Sequence, residues 1–418
     1  MSSASTTDND QRARAAITAV ARQHTAQLLA ALMRDIRDLQ LAEDCLQDAI
    51  ESAIVHWRQR GLPEAPPAWL LQVARRKAID RLRRSRNFAR KMPEYGALLA
   101  LDQNPPEELQ DIEDDRLRMI FTCCHPALEE KTRVALTLRT LCGLTTQEIA
   151  RAFLDSEEAM AQRLVRARQK ISKAGIAYEV PGPEAWPARL DSVLAVIYLV
   201  FNEGYAATAG EARSRIDLCE EAIRLARLLA ALHKGDAEIE GLLALLLLIH
   251  ARAPARLSAA GEIIALEEQD RSRWNRELIA DGTALLGQAL ARRRPGVYQT
   301  QAAINALHCE AESHTATNWQ EIVLLYNHLH ATSGNPVFLL NGAVALSWYS
   351  GAEDGLRALA LLEPELHAYQ PFHAARADMF RRLGRWDEAR QTYETALAMS
   401  RNAGEQAFLR KRRDSCDP

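Results

Sequence analysis

The sequence predicts an all-α protein. Apolar residues recur at helical spacing in one segment after another, capping residues stand at the starts of those segments, and alternating β-branched runs are scarce. The clearest signature runs from Leu144 to Ala174. Thr145, with Glu148 three residues on, forms a capping box, and Ile149 and Phe153 give the short helix behind it an apolar side. Leu154-Asp155 reads as a turn. Ser156 then caps a second helix whose first turn holds Glu157 and Glu158, as the helix dipole favours. At about 100° per residue, Met160, Leu164, Ala167 and Ile171 share one face of it, while Arg163, Arg166, Arg168 and Lys170 spread around the rest. A helix-turn-helix of this kind suits insertion into a major groove. An ordinary surface helix with solvated arginines has the same pattern.

A chain of 418 residues has room for two or three domains, and its net charge of −3 provides no global basic field, so nucleic-acid contact must come from local patches. The opening MSSASTTDNDQR has no apolar stretch of the kind a signal peptide needs, and the longest apolar run, Leu242 to Ile249, is too short to span a bilayer; a cytoplasmic setting is expected. Seven cysteines, an odd number without paired spacing, fit reduced thiols. Cys123-Cys124-His125 with Cys142 raises a zinc site. Adjacent cysteines rarely both reach one metal and no CxxC is present, so packing in the core is the expectation, with no metal and no cofactor. No phosphate-binding glycine loop, GxSxG or HExxH occurs, and no catalytic residue is expected.

From the amino terminus, Arg12 to Met33 is helical in pattern. Leu41 to Trp57 follows, with Leu46, Ala49, Ile50, Ala53 and Ile54 at helical spacing and an acidic side made by Glu43, Asp44, Gln47, Asp48 and Glu51. The segment 58–67, with a glycine and three prolines, is expected to be irregular. Ala68 to Arg86 is the third helix. It sets Leu71, Ala74, Ala78 and Leu82 against Arg76, Lys77, Arg83 and Arg84, with Trp69 and Val73 among them. Between Arg75 and Lys91 nine Arg or Lys accompany a single Asp. Cations beside an aromatic suit a surface that tracks phosphates and stacks unpaired bases. A solvated face with Trp69 as a core anchor is the other reading. A linker over 87–115 turns acidic in its second half (Glu107, Glu108, Asp111, Glu113, Asp114, Asp115). Helices over Arg116 to Phe121 and Glu129 to Leu141, closed by Gly143, lead into the helix-turn-helix.

AEDCLQDA (Ala42 to Ala49), AWLLQVARRKAIDRLRR (Ala68 to Arg84) and the helix-turn-helix ending QRLVRARQKI resemble, in order and spacing, the bacterial extracytoplasmic-function sigma factors, compact members of the sigma-70 family with only regions 2 and 4. The resemblance covers about 160 residues. It implies region 2 over 10–86, region 4 over 116–175, and RNA polymerase core and promoter DNA as partners. Asp44, Gln47 and Asp48 would then dock on the clamp helices of the polymerase. Trp69, Arg76, Lys77, Arg83 and Arg84 would open and hold the −10 element, and Gln162, Arg163, Arg166, Arg168 and Lys170 would read the −35 element. Asp80 would pair with neighbouring arginines. The chain departs from the family pattern at Asp155, where a small or turn-forming residue is usual, and at Ala161, where a lysine is common.

The remaining half, 185–418, reads as successive amphipathic or buried helices. Near its end Ala377, Phe380, Gly384, Ala389, Tyr393 and Ala396 stand as in a tetratricopeptide repeat, with a looser copy about 34 residues earlier. An α-solenoid-like regulatory domain is expected, a plain helical bundle being the alternative. This half resembles the long extension of one subgroup of these sigma factors, where it stands in for a separate anti-sigma factor and leaves room for an unknown effector. The stretches that carry this are Phe201 to Tyr205 and Gln269 to Trp274, whose charged residues Glu203, Asp270, Arg271 and Arg273 are expected to pair structurally. Two rival functions remain open: a ligand-sensing helix-turn-helix regulator that does not bind polymerase, and a helical-repeat adaptor that binds protein.

Overall fold

A computed structural model describes residues 3–84, 113–153, 155–205, 212–258, 261–400 and 403–416. It divides into two compact units, Met1–Val200 and Phe201–Pro418. Among the described residues there are helices and one isolated β-bridge, between Leu257 and Ile263.

The first unit opens with α1 (Ser3–Ile36), α2 (Leu39–Arg60) and α3 (Pro66–Arg84), packed on one another. Asp38 caps α2 by accepting from the Leu41 amide at 3.0 Å, and Gly61 closes it at a φ of 85°, where a side chain would be strained. The irregular segment expected over 58–67 shrinks to 61–65. Pro66 and Pro67 belong to the first turn of α3, where proline lacks nothing because those amides have no helical partner. Ala42, Leu46, Ala49, Ala53 and Trp57 of α2 and Leu71, Ala74, Ala78 and Leu82 of α3 are buried where the two helices pack. A charged pair is sealed inside this bundle: Arg75 donates to Asp35 at 2.9 Å with both side chains nearly inaccessible.

The linker expected over 87–115 lies outside the described residues up to 112, and 113–115 open a helix. There follow α4 (Glu113–Cys123), α5 (Glu130–Thr140), α6 (Thr146–Ala152) and α7 (Glu157–Lys173). Cys123, Cys124 and Cys142 are buried as core residues, and burial pushes the Cys124 thiol up to about 11. Gly143 takes a φ of 70° between α5 and α6. Two contacts fasten α4 to the first bundle: Arg34 pairs with Asp115 at 3.1 Å, and the Tyr178 hydroxyl lies 2.8 Å from the Asp115 carbonyl and 3.1 Å from that of Ala30.

Helix α8 (Trp186–Tyr205) contains the division between the units. Its first half serves the first unit: Arg189 donates to the Phe121 carbonyl at 2.7 Å, and Ser192 bonds the Cys124 carbonyl and Arg133. The second unit then runs through α9 (Ala212–Leu232), α10 (Ala237–His250), α11 (Ala253–Arg256), α12 (Arg276–Ala291), α13 (Val297–Glu310), α14 (Trp319–Ser333), α15 (Pro336–Tyr349), α16 (Ala352–Ala360), α17 (Glu363–Leu366), α18 (Gln370–Arg382), α19 (Trp386–Met399) and α20 (Ala403–Asp414). Helices pack chiefly on near neighbours in sequence, as in a repeat array. Ala377, Phe380, Ala389, Tyr393 and Ala396 are buried between α18 and α19, with Gly384 at a φ of 72° in the turn. Gly355 marks the tightest approach of the looser pair: a Cβ there would fall 2.5 Å from that of Ser347.

The succession of helices expected over 185–418 is interrupted between Leu266 and Arg273. There two short 3-10 turns, Leu266–Glu268 and Arg271–Arg273, precede α12, because Asp270 accepts from the Ser272 amide and Asn275 caps the helix proper. Among the described residues Asp270 and Arg271 therefore form no ion pair, contrary to expectation. Asp270 is an exposed cap, and Arg271 donates to the carbonyls of His308 and Ala311, each at 2.6 Å.

Candidate nucleic-acid interface

Helix α7 follows the sequence closely. Ser156 accepts from the Ala159 amide at 3.1 Å, and Met160, Leu164, Ala167 and Ile171 are its buried residues. The capping box before α6 is closed in both directions: Thr145 donates its amide to Glu148 at 2.7 Å, and the Glu148 amide donates to the Thr145 hydroxyl at 3.1 Å. Leu154 of the expected turn lies outside the described residues. Asp155 does two jobs there, accepting from the Ser156 amide at 3.0 Å and pairing with Arg163 at 3.0 Å.

The polar residues of α7 then separate by burial. Gln162, Arg166 and Lys170 are exposed and, at spacings of four, line one stripe opposite the buried face. Ala161, where the family pattern often has lysine, is exposed beside them. Arg163 is held back by Asp155. Arg168, grouped in the sequence with the groove-facing cations, is turned the other way: its guanidinium forms an ion pair with Glu43 of α2, with the two side chains 11% and 13% exposed. Burial raises the Glu43 carboxyl despite the opposing fields of Arg168 and Arg139. Arg168 packs region against region, and a groove contact by it would require this pair to open.

On α3, Trp69, Arg76 and Arg83 recur every seven residues and so share a stripe, flanked by half-buried Lys77 and exposed Arg84. Trp69 is half-buried. Its ring stacks on His56 with centroids 5.4 Å apart and meets Trp57 edge-on at 5.5 Å. It is thus partly an anchor to α2, and base stacking would use the ring surface that remains. Asp80 is exposed; the ion pairs near it are made by Arg81, which reaches Asp48 at 2.8 Å and Asp44 at 3.6 Å on α2. The acidic side of α2 is accordingly part-neutralised. Gln47 and Glu51 are exposed and bonded to each other at 3.3 Å. Nothing in the sequence pattern marked Glu43 or Arg81 as partners across helices; each stood in a run of like charges.

Comparison with known proteins adds three matches. Residues 20–88 match Sigma-70 region 2, residues 118–171 match Sigma-70 region 4, and residues 189–290 match a family of unknown function, DUF6596. An uncharacterized protein of Rhizobium meliloti (strain 1021) is 44% identical over 397 residues, spanning 93% of each chain. The chain belongs to the sigma-70 family. No solved structure matches it. Sigma-70 proteins are transcription initiation factors, not enzymes, and their two DNA-binding regions imply polymerase core and promoter DNA as partners. This sigma-70 factor carries regions 2 and 4 followed by a long helical extension, and no helix among its described residues is long and apolar enough to cross a membrane.

Proposed function

We propose that this sigma-70 factor binds RNA polymerase core through α2, holds the opened −10 element on α3, reads the −35 element with α7, and is regulated by its carboxy-terminal helical extension, all in the cytoplasm. The observation that carries this is the division of labour on α7. Four apolar residues anchor the helix while Gln162, Arg166 and Lys170 line the opposite side, the disposition a recognition helix needs. On α3, Trp69, Arg76, Lys77, Arg83 and Arg84 fit a surface that stacks unpaired bases and neutralises phosphates. On α2, Gln47 is the expected contact best placed for a partner. Asp44 and Asp48 bind Arg81 at home and would exchange that pair for the polymerase.

Pull-down by core polymerase lacking its own specificity subunit tests the reading. Retention is expected, and Gln47→Arg should lower it without changing the melting temperature. Absence of a complex would return the chain to the rival of a helix-turn-helix regulator acting alone. Regulation by the extension is tested by transcription in vitro with residues after Val200 removed. A cut near residue 180 would also remove Arg189 and Ser192, which hold the first unit together. Activity and response unchanged from the full chain would remove the regulatory claim.

A further inference from the structure

Between α14, α15 and the segment before α12 lies a cavity of about 200 Å³. Its walls are unusually aromatic for this chain. Trp319 and Trp348 stand nearly parallel with centroids 6.1 Å apart, and the His314 ring meets both, at 4.8 and 4.4 Å. Tyr326 adds a further ring, while Ile322, Val344 and Ala345 complete an apolar floor. Two features say that this is more than core packing. Trp319, Tyr326 and Trp348 all keep part of their surface accessible, where a filled core would cover them. His308, 8% exposed and lining the same cavity, has an Nδ1 with no hydrogen-bond partner. A buried imidazole nitrogen without a partner is destabilising, and a ligand atom that bonds it recovers the loss.

The surrounding charges narrow the ligand. Trp348 already has a cation on it, the Arg382 guanidinium 3.5 Å from the ring centroid and fixed by bonds to Ser347. Glu267, the carboxylate at the cavity, is bridged to Arg412 at 3.1 Å and lies 3.9 Å from Arg381. Desolvation first, then Arg252, Arg271 and His314, push His308 down to about 3, so it is neutral at ordinary pH. Glu267, the charged residue among those lining the cavity, is thus already paired, and a face of Trp348 is already taken by Arg382, which disfavours a further cationic guest despite the rings.

We propose that this cavity binds a planar aromatic molecule of one or two rings, neutral or anionic, seated against Trp319 and Trp348 with a polar atom toward His308 and Asn341. The site gives the effector of the proposed regulation a chemical class. It rests on that reading only for its biological meaning, because binding is measured without transcription.

The test is calorimetric titration of the full chain with indole, benzoate and tetramethylammonium. Saturable one-site binding of indole or benzoate is expected, with none of tetramethylammonium. Val344→Phe, which fills the cavity, should weaken binding at least tenfold while the circular-dichroism melt is kept. Asn341→Leu provides a second variant should the first not fold. Binding of tetramethylammonium in place of the aromatic probes overturns the proposal. So does indole or benzoate binding that survives filling of the cavity, and so does the absence of any binding at millimolar concentrations. If these probes bind but deleting the extension leaves transcription unchanged, the site stands and the regulatory reading falls.

Discussion

Helices α3 and α7 are both basic and amphipathic, yet they spend their charges differently. On α3 the interior cation is Arg75, sealed against Asp35 of α1, and Arg81 crosses to α2; Arg83 and Arg84 are exposed. On α7 two of four basic residues in the central run are tied, Arg163 to its own cap residue Asp155 and Arg168 to Glu43 of α2. Arg166 and Lys170 remain outward with Gln162. The lesson concerns counting. A cationic helix is a nucleic-acid surface only to the extent that its cations lack a carboxylate of their own.

The largest effect that would sharpen this contrast is at Arg75. Arg75→Ala leaves the Asp35 carboxylate buried with Arg34, at 3.4 Å, as its remaining cation among the described residues, and should cost about 3–5 kcal/mol, read as a loss of cooperative denaturant unfolding of the first unit. Arg83→Ala on the same helix should leave the midpoint unchanged. It should weaken binding to unpaired −10 DNA uniformly and flatten the salt dependence by about one ion. Equal stability losses for the two variants would break the distinction between sealed and outward cations.

On α7 the matching pair is Arg168 and Arg166. Arg168→Ala strands Glu43 in a site it shares with Thr140 and Arg139, and a loss of roughly 3 kcal/mol is expected in denaturant titration, with −35 duplex affinity of the folded protein unchanged. Arg166→Ala should do the reverse, leaving the midpoint in place and weakening duplex binding by about 1–3 kcal/mol if it reads a base edge. Electrophoretic-mobility titrations against a −35 duplex distinguish them.

Much of this was legible beforehand. The capping box at Thr145 and Glu148, the Ser156 cap and the buried stripe of Met160, Leu164, Ala167 and Ile171 are local or periodic features, written in neighbouring residues. Arg168 was not legible, because its partner lies 125 positions away on α2 and nothing on α7 separates it from Arg166. The same holds for Asp48, whose apparent freedom on an acidic face ends at Arg81, 33 residues on. The aromatic cavity is illegible in the sequence for a related reason. Trp319 opens one helix and Trp348 lies in the last turn of the next, so no periodic stripe links them; the aromatic run that the sequence does show, Phe201 to Tyr205, has Phe201 fully buried and stacked on Tyr205 at 5.9 Å.

The contrast also has a pH signature. Because burial raises the Glu43 carboxyl, the folded state binds a proton that the unfolded chain releases near the ordinary glutamate value of 4.5. Stability from this site is therefore fullest below that value and declines as pH rises through the elevated folded one. Glu43→Gln removes the titration while keeping a carbonyl acceptor for Arg168. Its stability relative to the parent should improve from pH 4.5 upward, as followed by urea midpoints at a series of pH values. A parent that instead gains on the variant with rising pH would mean that the Arg168 field outweighs desolvation, making the pair a net source of stability.

The smallest effect concerns how each helix begins. α7 depends on a side chain, Ser156, to satisfy its Ala159 amide, whereas α3 opens with Pro66 and Pro67 and thereby lacks two of the amides that would need a partner. Ser156→Ala should cost about 1 kcal/mol, since it removes an acceptor from a donor the helix cannot satisfy internally. Pro66→Ala should cost less, about 0.4–1 kcal/mol, and through the unfolded chain, whose freedom increases when the ring is lost. The two mechanisms separate kinetically. The cap variant should speed unfolding if the Ser156 bond forms after the folding barrier, while the proline variant should slow folding with little change in the unfolding rate. Stopped-flow measurement of both limbs reads the difference, and a Pro66→Ala cost larger than that of Ser156→Ala would mean that the start of α3 is held by more than its restricted φ.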